Sequence, residues 1–245
     1  MTIDLNSDMG ESFGAWRIGA DAGLLSIVTS ANIACGMHAG DPSEMRRTVR
    51  AAKAAGVSIG AHPGFPDLAG FGRREMRMTA GELEDSVIAQ VAALAGIAAV
   101  EGASLAHVKP HGALYNMAVK DRAMSDAIAA AVAAVDATLI LVGLPASAMQ
   151  QAAAHARLAF AAEGFADRAY APDGTLVPRT TAGALVTDPA LAAAGAVRLA
   201  RGGHVQTICI HSDTPHAEAI ARAVREALEA EGLRVAAPTP RREAR

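Results

Sequence analysis

The stretch Ala31-Asn32-Ile33-Ala34-Cys35-Gly36-Met37-His38-Ala39-Gly40-Asp41-Pro42 joins a short apolar run to a helix start through a glycine-bearing turn. Asp41-Pro42-Ser43-Glu44 reads as a helix N-terminus: Asp caps, Pro suits the first helical position, and Glu stands three residues after the cap. His38 therefore falls between the outlet of a strand and the start of a helix. In parallel α/β proteins that outlet is where ligands bind.

The same unit recurs along the chain. Short apolar or β-branched runs at 3–6, 30–34, 57–61, 105–109, 138–142, 158–162, 205–210 and 233–236 alternate with helix-like segments. This alternation predicts a parallel sheet with crossover helices, and eight strands suit a barrel. Helices are expected at 41–56, 79–102, 145–155, 188–201 and 215–232, the second opened by the capping box Thr79-Ala80-Gly81-Glu82. Alanine-rich helical sequence surrounds Ala92 and Ala130 without a solenoid period. Residues 1–237 are read as one α/β barrel domain and 238–245 as a charged, frayed tail. Two segments break the rhythm, 62–77 and 163–179, and each follows a strand.

The chain has 245 residues, of which 51% are hydrophobic and only 3% aromatic, so the core must be built from Ala, Val, Leu, Ile and Met. A net charge of −3 without a Lys/Arg cluster before the tail argues against a nucleic-acid surface. The N-terminus lacks a basic flank ahead of an apolar stretch, and no uncharged apolar run reaches bilayer length, which leads us to expect a cytoplasmic protein. Cys35 and Cys209 sit in or beside apolar runs and are expected to be buried free thiols. No phosphate-binding P-loop, Rossmann fingerprint or G-x-S-x-G elbow is present.

Polar residues collect behind the strands: Asn6, Asp8 and Glu11 after the first, Cys35 and His38 after the second, His62 and Asp67 after the third. Lys109, His111 and Asn116 follow the fourth, Glu163, Asp167 and Arg168 the sixth, and His211 with Asp213 the seventh. Parallel strands closed into a barrel share one carboxyl-end face, so these residues would converge. Each taken singly has a plainer reading, as a turn residue, a cap or a structural histidine; the convergence is what points to function. Lys109 lies inside an apolar run and needs a partner or a task. The direction of His107 is ambiguous. Asp8, His38 and His62 could also hold a divalent metal, although their spacing is no compact ligand signature.

At these same residues the chain resembles the LamB/YcsF family. The carrying motifs are LNSDMGESFG (5–14), ANIACGMHAGDP (31–42), GAHPGFPDLAGFGRR (60–74), VKPHGALYN (108–116), EGFADRAY with DGTLVPR (163–179) and HSDTP (211–215). The resemblance implies a distorted (β/α) barrel of the glycoside hydrolase/deacetylase type with seven or eight mostly parallel strands. It also implies ring opening of 5-oxo-L-proline to L-glutamate with hydrolysis of ATP, accompanied by Mg2+, together with partner subunits B and C and a possible homo-oligomer. On that reading the catalytic set is Asp8, Glu11, His38, Lys109 and His111, with Asp8 or His111 as base and Lys109 and His38 facing developing charge. Asn6, Asn32, His62, Asn116, Arg168 and Arg179 would bind substrate, the arginines through its carboxylate. Two rival classes are a metal-dependent deacetylase or amidohydrolase, and a non-catalytic subunit that binds the lactam.

Overall fold

In a computed structural model the described residues are 1–238; residues 239–245 of the expected tail lie outside them. In chain order the elements are β1 (Thr2–Met9), α1 (Asp21–Leu24), β2 (Ser30–Ala34), α2 (Pro42–Ala54), β3 (Ser58–His62), α3 (Ala80–Val100), β4 (His107–Val108) and α4 (Gly112–Ala118). There follow α5 (Arg122–Val135), β5 (Ile140–Gly143), α6 (Ala148–His155), β6 (Ala159–Phe165), α7 (Pro189–Arg201), β7 (Thr207–Cys209), α8 (Ala217–Ala230) and β8 (Arg234–Val235). The strands pair in parallel in the order β2-β3-β4-β5-β6-β7-β1, and β1 pairs again with β2 to close a seven-stranded barrel. β8 does not enter the ring. It pairs only with Thr2 and Ile3, because β1 from Asp4 onward is already engaged by β7 and β2.

The strand-to-helix unit forms as its sequence demands. Asp41 accepts hydrogen bonds from the Ser43 and Glu44 amides at 2.9 and 3.1 Å and, through its second oxygen, from Gly14 at 2.8 Å, tying the loop after β1 to the start of α2. The Glu44 carboxylate turns to Arg47 instead of closing a capping box; Thr79 and Glu82 do close one at the start of α3. α6 starts two residues after the left-handed Ala146, later than Pro145 would suggest, with Ser147 as its cap. By length and composition α3 is long and apolar enough to cross a membrane. Glu84 and Asp85 interrupt its sequence, and Leu83, Val87, Val91, Leu94 and Ala98 are buried in the core, where α3 packs on α5.

Period two places one side chain in each pair inside the barrel. On β1, Ile3 and Leu5 join the apolar core, whereas Asp4, Asn6 and Asp8 face the lumen and meet side chains from the neighbouring strands. The lumen is thus filled by polar layers rather than by aliphatic ones. In the lowest layer Asp4 accepts from Thr29, Ser30 and Thr207 at 2.6–2.7 Å. The next links Asn6 to Glu163, Thr207 and Asn32, and Asn32 to His107. His107 therefore shares the lumen with Lys109, and burial together with that lysine pushes its imidazole down to about 3. Gly60 on β3 makes room for it, since an added Cβ would fall inside the His107 ring.

Candidate active site

The uppermost layer opens into a cleft of about 630 Å³ at the carboxyl ends of the strands. Asp8, His62, Lys109, His111, Asn116, Arg168 and Arg179 line it, so seven of the residues expected at the site do converge there. Glu11 and His38 form a buried wall behind His62 and His111. Asn6 and Asn32 are placed differently from the expectation: both lie one layer down, hydrogen-bonded within the lumen, and Asn32 supports Asp8 at 2.8 Å.

Lys109, 2% exposed, is the hub. Its ammonium lies 2.9 Å from Asp8 Oδ1, 2.8 Å from Glu163 Oε1 and 3.0 Å from Cys209 Sγ. Burial works against the charge, but the Asp8 and Glu163 carboxylates outweigh it and hold the ammonium well above the ordinary lysine range. Burial likewise opposes ionisation of Asp8, while His62 and Lys109 hold its carboxyl well below the usual range. With three N–H donors and three close partners, Lys109 positions Asp8 rather than offering a spare donor to an oxyanion. Cys209 is a thiol, since burial pushes its ionisation well up; Cys35 is also free and buried, pushed up to about 12.

Asp167 and His211 form a dyad that sequence reasoning placed at strand outlets without a role. Asp167 accepts from His211 Nδ1 at 3.0 Å, from its backbone amide at 3.1 Å and from Thr214 Oγ1 at 2.6 Å. Nδ1 is thus protonated, and the free Nε2 stands at the cleft 3.8 Å from Asp8 Oδ2. Burial raises the cost of the Asp167 charge, yet His211 and Thr214 keep the carboxyl below its ordinary value. A buried carboxylate on Nδ1 fixes the tautomer of a histidine and leaves Nε2 able to accept a proton. The signal available in the sequence was only that Asp167 and His211 follow neighbouring strands.

Above this floor stand three arginines. Arg73 pairs with Asp213 at 2.6 Å and Arg179 with the same carboxylate at 3.5 Å; among the described residues the Arg168 guanidinium donates only to the Val177 carbonyl, at 2.7 Å. Among the described residues Arg168 Nε and Arg179 Nη2 are buried without a partner. Burial and the neighbouring Arg179 push Arg168 down to about 10, so it stays charged at neutral pH. Unpaired guanidinium donors over a cleft suit a carboxylate or phosphate.

The histidines are fixed by a strap, residues 63–74, that crosses the mouth. Asp67 holds it through Gly70 and Arg74. Phe71 takes the left-handed region at φ 56°, unusual for a bulky side chain. That turn puts its carbonyl 2.8 Å from His111 Nε2 and its ring edge-on to His38 and His111. Burial and neighbouring imidazoles keep His38 and His111 well below the ordinary histidine range; burial and Asp8 push the Glu11 carboxyl well above its own. Among the described residues close donor atoms form two groups, Glu11/His38/His62/His111 and Asp8/Cys209/His211, and Asp8 Oδ2 also stands 3.3 Å from His62 Nε2.

A closed parallel barrel with histidines and carboxylates at its carboxyl-end mouth is a (β/α) barrel of the deacetylase type. Its likeness to the family 4 carbohydrate esterase from Streptomyces lividans, with a TM-score of 0.50 at 14% identity over 96% of this chain and 91% of the other, shows that fold. Sequence narrows the class. The LamB/YcsF family profile matches residues 3–243, and the chain belongs to that family. It is 53% identical to the A subunit of 5-oxoprolinase from Methylococcus capsulatus over 96% of this chain and 95% of the relative. It superposes on the lactam utilization protein from Thermus thermophilus with a TM-score of 0.90 at 46% identity, covering 96% of this chain and 99% of the other.

Proposed function

We propose that this chain is the A subunit of an ATP-dependent 5-oxoprolinase, acting in the cytoplasm with partner subunits B and C. Its cleft hydrolyses the activated ring of 5-oxo-L-proline to L-glutamate. Full-length identity to relatives of that name supports the activity. The observation that carries the site is the Asp167–His211 dyad directed at Asp8 beneath unpaired arginine donors.

A lactam is a resonance-stabilised amide, and attack by unassisted water is slow. Transfer of the γ-phosphoryl group of ATP to the lactam oxygen yields ADP and a far more electrophilic carbon. His211 Nε2 takes a proton from water as its oxygen adds to that carbon, with Asp8 orienting the pair. The C–N bond breaks, the ring nitrogen takes a proton, and the acyl phosphate releases phosphate to a second water. Arg168 and Arg179 bind the substrate carboxylate or the transferred phosphate, Asn116 completes the rim, and Lys109 holds Asp8 ionised. The chain carries no P-loop, so the economical division gives phosphorylation to the partners and hydrolysis to this barrel.

Calorimetric titration of the isolated chain with Mg-ATP, followed by assays of every combination of the three chains, tests this. We expect weak nucleotide binding by the chain alone and glutamate only from the full set. Tight, saturable ATP binding that is lost on Arg168→Gln would place the whole reaction here and overturn the division.

A further inference from the structure

The protons on two active-site imidazoles are fixed by groups that can only accept. His62 Nδ1 lies 2.7 Å from the Lys109 carbonyl and His111 Nε2 lies 2.8 Å from that of Phe71, so each of those nitrogens carries the hydrogen. The other two, His62 Nε2 and His111 Nδ1, are bare in the neutral rings. They face each other at 3.0 Å. Glu11 Oε1 stands 3.5 Å from His111 Nδ1, and Asp8 Oδ2 stands 3.3 Å from His62 Nε2. Lone pairs and carboxylate oxygens crowded round one point repel unless a cation lies among them.

The neighbouring ring is in the same situation. His38 is wholly buried and stacked on His111 with centroids 3.9 Å apart, its Nε2 3.8 Å from Glu11 Oε1. Among the described residues neither His38 nitrogen nor Glu11 Oε1 has a hydrogen-bond partner. Orphaned buried polar atoms of this kind need a partner, which an ion or an ordered water can supply.

We propose that Glu11, His38, His62 and His111 together bind a divalent transition-metal ion of the zinc type. Their donor atoms lie within 4.8 Å of one another. Three of those separations, 3.0, 3.5 and 3.8 Å, lie about the ~3.3 Å expected between ligands of a tetrahedral ion with bonds of ~2.0–2.1 Å. Imidazoles whose far nitrogens donate to backbone carbonyls are the outer arrangement that orients metal ligands. Three nitrogens and one oxygen select zinc, cobalt, nickel or iron; the magnesium that accompanies ATP prefers oxygen ligands. Lys109 and Asn32 engage Asp8 through Oδ1, which leaves Oδ2 beside the set, 3.3 Å from His62 Nε2. When bound, such an ion supplies Lewis-acid polarisation of an oxygen at the cleft. The inference stands independently of the lactam reading.

The test uses untagged full-length protein, stripped with a chelator and dialysed. Titration with Zn2+, Co2+ and Mg2+ is followed by metal analysis, calorimetry, melting and the visible spectrum of the cobalt form. About one equivalent of Zn2+ or Co2+ should bind, with a raised melting temperature and the intense visible bands of a four-coordinate cobalt site; Mg2+ should give neither. Glu11→Gln and His38→Gln should each weaken zinc binding by at least about tenfold. His155→Gln, at an exposed histidine on α6, should bind as wild type. Absence of stoichiometric uptake by the wild type would overturn the proposal and leave a proton shared between His62 and His111. Wild-type affinity in both site variants, or equal loss in His155→Gln, would overturn it as well.

Discussion

Lys109→Met keeps an unbranched side chain, one atom shorter, and removes its charge. In the wild type the ammonium lies 2.9 Å from Asp8 and 2.8 Å from Glu163, all three buried. Removing one partner of a buried ionic set leaves uncompensated charge, which costs about 3–5 kcal/mol. For a chain of this size that corresponds to a fall of roughly 6–20 °C in melting temperature. The pH dependence identifies the cause. Asp8 in the wild type has a depressed carboxyl, so its stabilisation is present above the unfolded carboxylate range and is lost only as pH falls through and below it. Between pH 7 and pH 5 that contribution is nearly constant. In the variant the ammonium no longer offsets the burial of Asp8, so its carboxyl should move upward and its penalty shrink as pH falls. The gap between the two proteins should therefore narrow from pH 7 to pH 5, measured by chemical denaturation at each pH. A gap under about 1 kcal/mol, or one equal at both pH values, would refute the assignment of Lys109 as the charge that holds Asp8.

Two further outcomes follow from the same geometry. Arg168→Gln removes from the cleft a guanidinium whose Nε has no partner among the described residues and should raise KM for the lactam ~10–100-fold, by steady-state assay of the reconstituted complex. Gly60→Ala drives a methyl group into the His107 ring and should destabilise by about 1–3 kcal/mol, whereas Gly81→Ala at the start of α3, where nothing lies within 4 Å, should not destabilise.

The parts of the fold legible in the sequence were those fixed locally. β2 runs over the residues its apolar run marked, and Asp41 and Thr79 cap α2 and α3 as their residue types require. What escaped depends on closure. β8 has the composition of a barrel strand, yet β1 has no edge left for it beyond Ile3. At the site, strand outlets located Asp8, His62, Lys109 and His111. They could not show that Asn6 and Asn32 lie one layer below the cleft, because period two alone does not fix depth along the barrel axis. The Asp167–His211 dyad and the Glu11–His38 wall likewise arise from neighbours far apart in the chain, and no spacing records them.

Glutamate formation by the reconstituted complex carrying His211→Ala decides whether this barrel performs the hydrolysis. Asp167 keeps the residue 211 amide and Thr214 as partners, so the variant should fold and assemble. We predict a fall in kcat of ~10²–10⁴ in a complex that still folds and assembles. A rate within about threefold of wild type would contradict the claim that the ring is opened here through that histidine.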